Sequence, residues 1–182
     1  MRAYFVIGIV FLVGCEGAPT DTVSSNVIQK KDGLTYYQNE LYSGYVLSMS
    51  ESNDTVEFYK VFEGKMEGNY VSKYPDGSVN ELRYFKDNRR NGFHQKWYPD
   101  GKKAFEYHYE NGVYVDTLKE WYPNGQLYLI SHYSDGQQTG RQQAWKQNGE
   151  LYLNYDVVNG RKYGNAGIKH CKSLWNEVVS GN

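Results

Sequence analysis

Bulky and polar residues alternate along most of this chain in short runs, and each run is ended by residues that favour turns. Phe93, His94, Gln95, Lys96, Trp97 is one such run, and Phe105, Glu106, Tyr107, His108, Tyr109 is the next. A period of two residues is that of a half-buried β-strand, and two such runs joined by a tight turn make a hairpin. The turns recur at a strict spacing. Tyr74, Pro75, Asp76, Gly77 returns as Tyr98, Pro99, Asp100, Gly101, as Tyr122, Pro123, Asn124, Gly125, and more loosely as Lys146, Gln147, Asn148, Gly149, each 24 residues after the last. A second series on the same period holds Gly64, Asn88, Gly112, Gly136 and Gly160, and a third holds Gly44, Gly68, Gly92, Asp116, Gly140 and Gly164. Three columns in one register identify a repeat. The predicted fold is all-β: an elongated antiparallel β-hairpin repeat array over residues 33–164, closed by a short C-terminal capping helix.

The turn chemistry predicts a pairing. Pro presets the first position of a three-residue loop, Asp tolerates the second, and glycine takes the left-handed third position that closes a bulged hairpin. Gly77, Gly101, Gly125 and Gly149 are therefore structural turn residues. With Pro99, Asp100 and Gly101 as the loop, Tyr98 faces Lys102, Trp97 faces Lys103 and Gln95 faces Phe105, so odd positions stay on one side. That side gathers Phe93, Trp97, Phe105, Tyr107 and Tyr109, then Trp121, Leu127, Leu129 and Tyr133, then Trp145, Leu151, Leu153, Tyr155 and Val157. The even side holds His94, Lys96, Glu106, His108, Glu120, Tyr128, His132 and Asn154 and is expected to be the wetter one. Two strands per repeat at about 4.8 Å each advance the array by about 10 Å, so five repeats make a ribbon about 50 Å long.

Both ends break the pattern. Arg2 precedes an apolar run from Tyr4 to Val13 that is too short to cross a membrane. Leu12, Val13, Gly14, Cys15 directly after it resembles the cleavage box of a bacterial lipoprotein signal. Residues 1–14 are accordingly expected to be a signal peptide and Cys15 the lipidated residue. Several acyl chains anchor stably, because each buried methylene contributes about 0.8 kcal/mol. The expected location is the bacterial cell envelope, on the outer membrane and facing the periplasm. An ordinary secretory signal with Cys15 as a bystander is the alternative. Residues 15–32, with Pro19 and several Ser and Thr, are expected to form a flexible tether. Beyond Gly164, Ile168, Cys171, Leu174, Trp175, Val178 and Val179 fall on a helical stripe, with Asn165 as cap and Gly181 as stop. This predicts the capping helix over residues 165–182, covering the last strand.

Composition narrows the choice of partner. The 20 basic and 21 acidic residues leave a net charge of −1, so no basic excess points to nucleic acid. Tyrosine accounts for 19 residues, which makes the buriable surface amphipathic rather than greasy. With Cys15 lipidated, Cys171 has no partner within the chain, and no disulfide framework is expected.

Candidate chemistry is sparse. His108 and His132 stand one repeat apart, too far for one zinc ion, whereas His94 lies diagonally opposite His108 on the expected polar face. No carboxylate or thiol stands at ligand spacing from them, so solvated histidines are expected and no metal. Asp76, Asp100 and Asp135 are explained as turn formers, and no nucleophile elbow, phosphate loop or paired-Cys motif is present. A non-enzymatic protein without cofactor is expected. The candidate binding face is aromatic: Trp97, Trp121 and Trp145 in one column, with Tyr107, Tyr109 and Tyr133. Rings on the drier side of a thin sheet also serve stability, which is the competing explanation. His170 and Cys171 are neighbours on a helix and point about 100° apart. An inert Cys171 is expected, with a thiol-dependent envelope factor as the alternative.

The repeated Tyr/Trp-Tyr-Pro-Asn/Asp-Gly, followed by Asn/Asp-Gly and then by a further Gly, resembles the MORN-repeat variant over residues 33–164. Bacterial proteins of this kind are called YwqK-family toxin-antitoxin antitoxins. The resemblance implies open hairpin sheets that serve as binding or scaffolding surfaces, and an antitoxin-like role against a toxin acting in the envelope. The expected function is thus an envelope lipoprotein, anchored to the membrane by its N-terminal lipid, that binds an envelope protein. A glycan or peptidoglycan on the Tyr/Trp face is the second candidate ligand.

Overall fold

Each alternating run forms a strand. The computed structural model describes residues 22–49 and 56–166. In chain order these residues form β1 (Thr22–Ser24), one 3-10 turn (Ser25–Val27), β2 (Ile28–Lys31), β3 (Leu34–Tyr37), β4 (Glu40–Leu41), β5 (Gly44–Met49) and β6 (Val56–Phe62). The regular hairpins follow as β7 (Lys65–Lys73), β8 (Val79–Lys86), β9 (Arg89–Arg90), β10 (Gly92–Trp97), β11 (Lys103–Glu110), β12 (Val113–Trp121) and β13 (Leu127–Ser134). The series ends with β14 (Gln137–Gln138), β15 (Gly140–Trp145), β16 (Leu151–Val158) and β17 (Arg161–Asn165). From β5 onward sequential strands pair antiparallel in one long twisted sheet, with β9 and β14 as short offshoots at its margin. The molecule is an elongated antiparallel hairpin array.

The proline turns take the expected geometry. Gly77, Gly101, Gly125 and Gly149 have φ between 81° and 88°, where a Cβ is strained. Their amides donate to the carbonyls of Tyr74, Tyr98, Tyr122 and Lys146 at 2.8–2.9 Å. Asp100 Oδ1 then accepts the Lys102 amide at 3.1 Å, and Asp76, Asn124 and Asn148 do the same in their own turns. The second column forms the opposite turns, with both central residues left-handed, as in Asn111 and Gly112 or Asp135 and Gly136. Its amides point to the preceding repeat. Asn88, Gly112 and Gly136 donate to Met66, Arg90 and Tyr114 carbonyls at 2.8–3.0 Å.

Past the proline turn the register departs from the expected one. Trp97 does lie opposite Lys103, but Lys96 pairs with Phe105 and Gln95 with Glu106. Ala104 is an extra residue on its strand, and Asn80, Tyr128 and Tyr152 occupy the same bulge in the other repeats. One unpaired residue reverses which parity faces inward. Even positions of β10 therefore share a face with odd positions of β11, and the single all-odd apolar side does not exist.

The first strands also differ from expectation. Thr22 to Lys31, read from the sequence as part of a tether, form β1, the 3-10 turn and β2. Strand β1 pairs parallel with β5, and β2, β3 and β4 make a separate three-stranded sheet. Val23, Ile28 and Tyr37 pack on a buried cluster of Tyr42, Val46, Tyr59, Val61, Tyr70 and Phe85, so the start of the array is capped by apolar burial. Gly64 fits closely here: a Cβ would stand 2.8 Å from the Leu41 side chain and 3.2 Å from the Thr35 carbonyl. Asn165, expected to cap a helix over residues 165–182, is instead the last residue of β17 and pairs with Asn154. The rest of that expected helix beyond Ala166, with Cys171, and the expected signal peptide, Cys15 and tether up to residue 21 lie outside the described residues.

Candidate functional site

The bulge divides the aromatic residues between two faces. On one face rings follow each other across the strands: Tyr70 to Phe85 at 6.5 Å, Phe85 to His94 at 5.5 Å, His94 to Tyr109 at 4.7 Å, Tyr109 to Tyr114 at 4.6 Å and Tyr114 to Tyr133 at 5.2 Å. This ladder does the work of a core where no second layer covers the strands. Burial raises the hydroxyl pKa values of Tyr70, Tyr114 and Tyr133, so these phenols stay protonated. His94 is buried within the ladder, its Nε2 donating to the Tyr84 carbonyl at 3.0 Å, and burial pulls its pKa down to about 4. It is a neutral structural ring.

Charged groups accompany the rings. Arg83 makes a two-pronged contact with the buried Glu81 carboxylate at 2.7 and 2.6 Å and lies 5.0 Å from the Tyr70 ring centre. Further along, the buried Glu120 accepts the Tyr107 hydroxyl at 2.7 Å. Here the twist of the sheet leaves a trough of about 230 Å³ between Tyr107 and Tyr155, with Glu120, Ser131 and Gln142 among its lining residues. A second hollow of about 540 Å³ lies near the first hairpins, between Lys30, Tyr59, Glu57 and Arg83.

The tryptophans are on the other face. Trp97, Trp121 and Trp145 are half-buried there, separated from Tyr107, Tyr109 and Tyr133 by the thickness of the sheet. The expected binding face of three Trp and three Tyr is thus two sets, one on each side. Lys103 Nζ stands 5.8 Å from the Trp121 ring centre and bonds Glu106 at 2.6 Å, while Gln95 donates to the same carboxylate at 2.7 Å. Lys103, then Gln95, hold the Glu106 carboxyl below the usual carboxylate range. Phe93 stacks on His108 at 4.5 Å, His108 Nδ1 meets Asp116 Oδ2 at 2.5 Å, and His132 Nδ1 meets Thr117 Oγ1 at 2.9 Å.

The histidines consequently do not converge. His94 is on the ring ladder and His108 on the tryptophan face, a correction that follows from the same bulge. Among the described residues no group of three His, Cys, Asp or Glu side chains could hold a metal ion. Glu120 and Gln142 are the residues that sequence reasoning missed as trough-lining groups. An even number puts Glu120 on the side expected to be wet, and only the bulge at Tyr128 reveals where Glu120 and Gln142 point. No family model matches the chain, and neither does any curated protein.

Proposed function

We propose that this chain is a non-enzymatic lipoprotein of the bacterial envelope that holds another envelope protein on the tryptophan face of its repeat sheet. The observation that carries the reading is the distribution of exposed apolar residues. Leu47, Met49, Tyr84, Phe93 and Tyr163, each at least 39% exposed, all fall on the face that bears the Trp column. Large exposed side chains gathered on one face mark an interaction surface, whereas scattered ones need no explanation. Lys103, Glu106, Arg141 and Asp156 between them supply the polar contacts that orient a protein partner. A face about 50 Å long and about 20 Å wide offers on the order of 1,000 Å², against about 800 Å² per partner in a standard interface. The resemblance to MORN-repeat variants favours the same reading, with neutralisation of an envelope toxin as its specific form. The Leu12 to Cys15 box supplies the anchor.

Affinity capture from detergent-solubilised envelopes tests both parts. The native chain is expected to retain a specific protein that Phe93→Asp, folded to the same melting temperature, loses at least tenfold, about 1.4 kcal/mol. Cys15→Ser is expected to leave the membrane fraction and to stop incorporating a palmitate analogue. Equal capture by Phe93→Asp would overturn the interface, and unchanged labelling of Cys15→Ser would overturn the anchor.

A further inference from the structure

Five Asn–Gly pairs occur in the chain: Asn91–Gly92, Asn111–Gly112, Asn124–Gly125, Asn148–Gly149 and Asn159–Gly160. In such a pair the glycine amide nitrogen can attack the asparagine side-chain carbonyl carbon, because no Cβ on the glycine shields it. The dipeptide makes the five alike, and the fold sets them apart. Asn124 and Asn148 are tied at both groups: their Oδ1 atoms accept the Gln126 and Glu150 amides at 2.9 and 3.0 Å, and Gly125 and Gly149 donate to the Tyr122 and Lys146 carbonyls at 2.8 and 2.9 Å. Gly92 is half-buried and paired with Tyr109, and the Asn91 amide donates to the Tyr84 carbonyl at 2.9 Å. Asn111 is exposed, but Gly112 gives its amide to the Arg90 carbonyl at 2.8 Å. That bond locks the second-column turns to the preceding repeat, and Gly64, Asn88 and Gly136 make it too. Asn159–Gly160 is the exception. It closes the last described hairpin, between β16 and β17, and both residues are exposed. Among the described residues neither the Gly160 amide nor the Asn159 side chain has a hydrogen-bond partner.

We propose that Asn159 is a covalent modification site, where spontaneous deamidation loosens the last described hairpin. Hydroxide takes the proton of the Gly160 amide, and the nitrogen attacks Asn159 Cγ to form the C–N bond of a succinimide ring. The bond from Cγ to Nδ2 breaks, and Nδ2 leaves as ammonia. Water then opens the ring at either carbonyl, so that one water is consumed and one ammonia released for each aspartate or isoaspartate formed. At the other pairs a hydrogen bond or a strand pairing must open before the nitrogen is free, and that opening slows the attack. The two products differ in their effect. Aspartate fits the turn, since Asp135 with Gly136 holds the same left-handed conformation one repeat earlier. Isoaspartate routes the backbone through the side chain and adds a methylene to it, which a two-residue turn of fixed geometry does not accommodate. The pairing of β16 with β17 is lost in consequence. None of this needs a partner or an anchor, so it stands apart from the proposed function.

The test is incubation of the full chain in detergent and mildly alkaline buffer, with and without unfolding urea, followed by peptide mass spectrometry. Fragment spectra place the mass gain of each amide-to-acid change. In the native chain Asn159 is expected to convert at least about fivefold faster than the other four asparagines, the factor that one hydrogen bond supplies. In urea the five rates are expected to converge, because only the shared dipeptide then matters. A native rate at Asn159 no faster than at Asn111, or an undiminished lead of Asn159 in urea, overturns the site. Hydrogen exchange reads the loosening. Converted protein is expected to exchange the β17 amides faster than fresh protein, and Asn159→Asp to exchange them as fresh protein does. Unchanged exchange after conversion, or equally fast exchange in Asn159→Asp, overturns the loosening by isoaspartate.

Discussion

At the scale of single residues, His94 carries an electrostatic cost for its place in the fold. The ring is 2% exposed between Phe85 and Tyr109, and burial, followed by the nearby Arg83 and Arg90 charges, opposes its protonation. Its pKa falls from 6.5 to about 4 on folding. The unfolded chain therefore binds more protons than the native one between those values. The stabilising contribution is fully present above pH 6.5 and is lost as pH falls towards 4, about 3 kcal/mol in all. The carboxylates of Asp76, Asp100 and Glu106, whose pKa values are lowered by Ser78, Lys102 and Lys103, lose their contributions only at the acid end of that window and below. Urea titrations at pH 7 and pH 5 separate the two effects. Native protein is expected to lose stability over that interval, and His94→Gln to lose at least about 1 kcal/mol less over the same interval. Equal losses in the two proteins would show that His94 does not titrate as described.

At the scale of elements, the tyrosine of the proline turn is what joins one hairpin to the next. Tyr74, Tyr98 and Tyr122 donate their hydroxyls to the Trp97, Trp121 and Trp145 carbonyls at 2.8, 2.8 and 2.9 Å, each reaching 23 residues ahead. Tyr98→Phe removes the donor and leaves the Trp121 carbonyl short of a partner, so a loss of about 1–2 kcal/mol is expected in urea unfolding. Tyr98→Phe and Tyr122→Phe act on separate joints and are expected to add to within about 0.5 kcal/mol. A null effect of Tyr98→Phe would mean that water replaces the bond. The turns were legible in the sequence because left-handed backbone admits few residue types, and Gly101 or Asn88 therefore leaves a mark. The bulge was not legible. An asparagine (Asn80), an alanine (Ala104) and two tyrosines (Tyr128 and Tyr152) fill it, since what the bulge demands is one additional residue and not a kind of residue. Missing it put Trp97 and Tyr107 on one face and His94 on the wrong one. The first strands were hidden for a different reason: Val23 and Ile28 are too few to show a period, and they are held by pairing with β5 and by the cluster around Tyr59.

At the scale of the whole molecule, stability is a chain of neighbour contacts rather than a single core. One buried cluster gathers around Val46 and Tyr59 and another around Ala144 and Leu153, with the ring ladder running between them. Such an array tolerates loss of a whole unit in phase and not loss out of phase. Deleting residues 99–122, one full period of 24, joins Tyr98 to Pro123 and recreates the turn. This shortened chain is expected to fold, with a urea m-value reduced in proportion to the surface removed. Deleting one residue fewer shifts every later side chain to the other face and is expected to abolish cooperative unfolding. Two equally stable products would contradict the repeat register. The same one-neighbour connectivity decides how the protein responds to force. Tension applied between the first and last hairpins runs across the strands and along their hydrogen bonds, so bonds rupture a few at a time and the array peels instead of shearing. Each released hairpin converts about 10 Å of ribbon into about 80 Å of extended chain, which would make the molecule an extensible link that yields in steps between whatever holds its two ends.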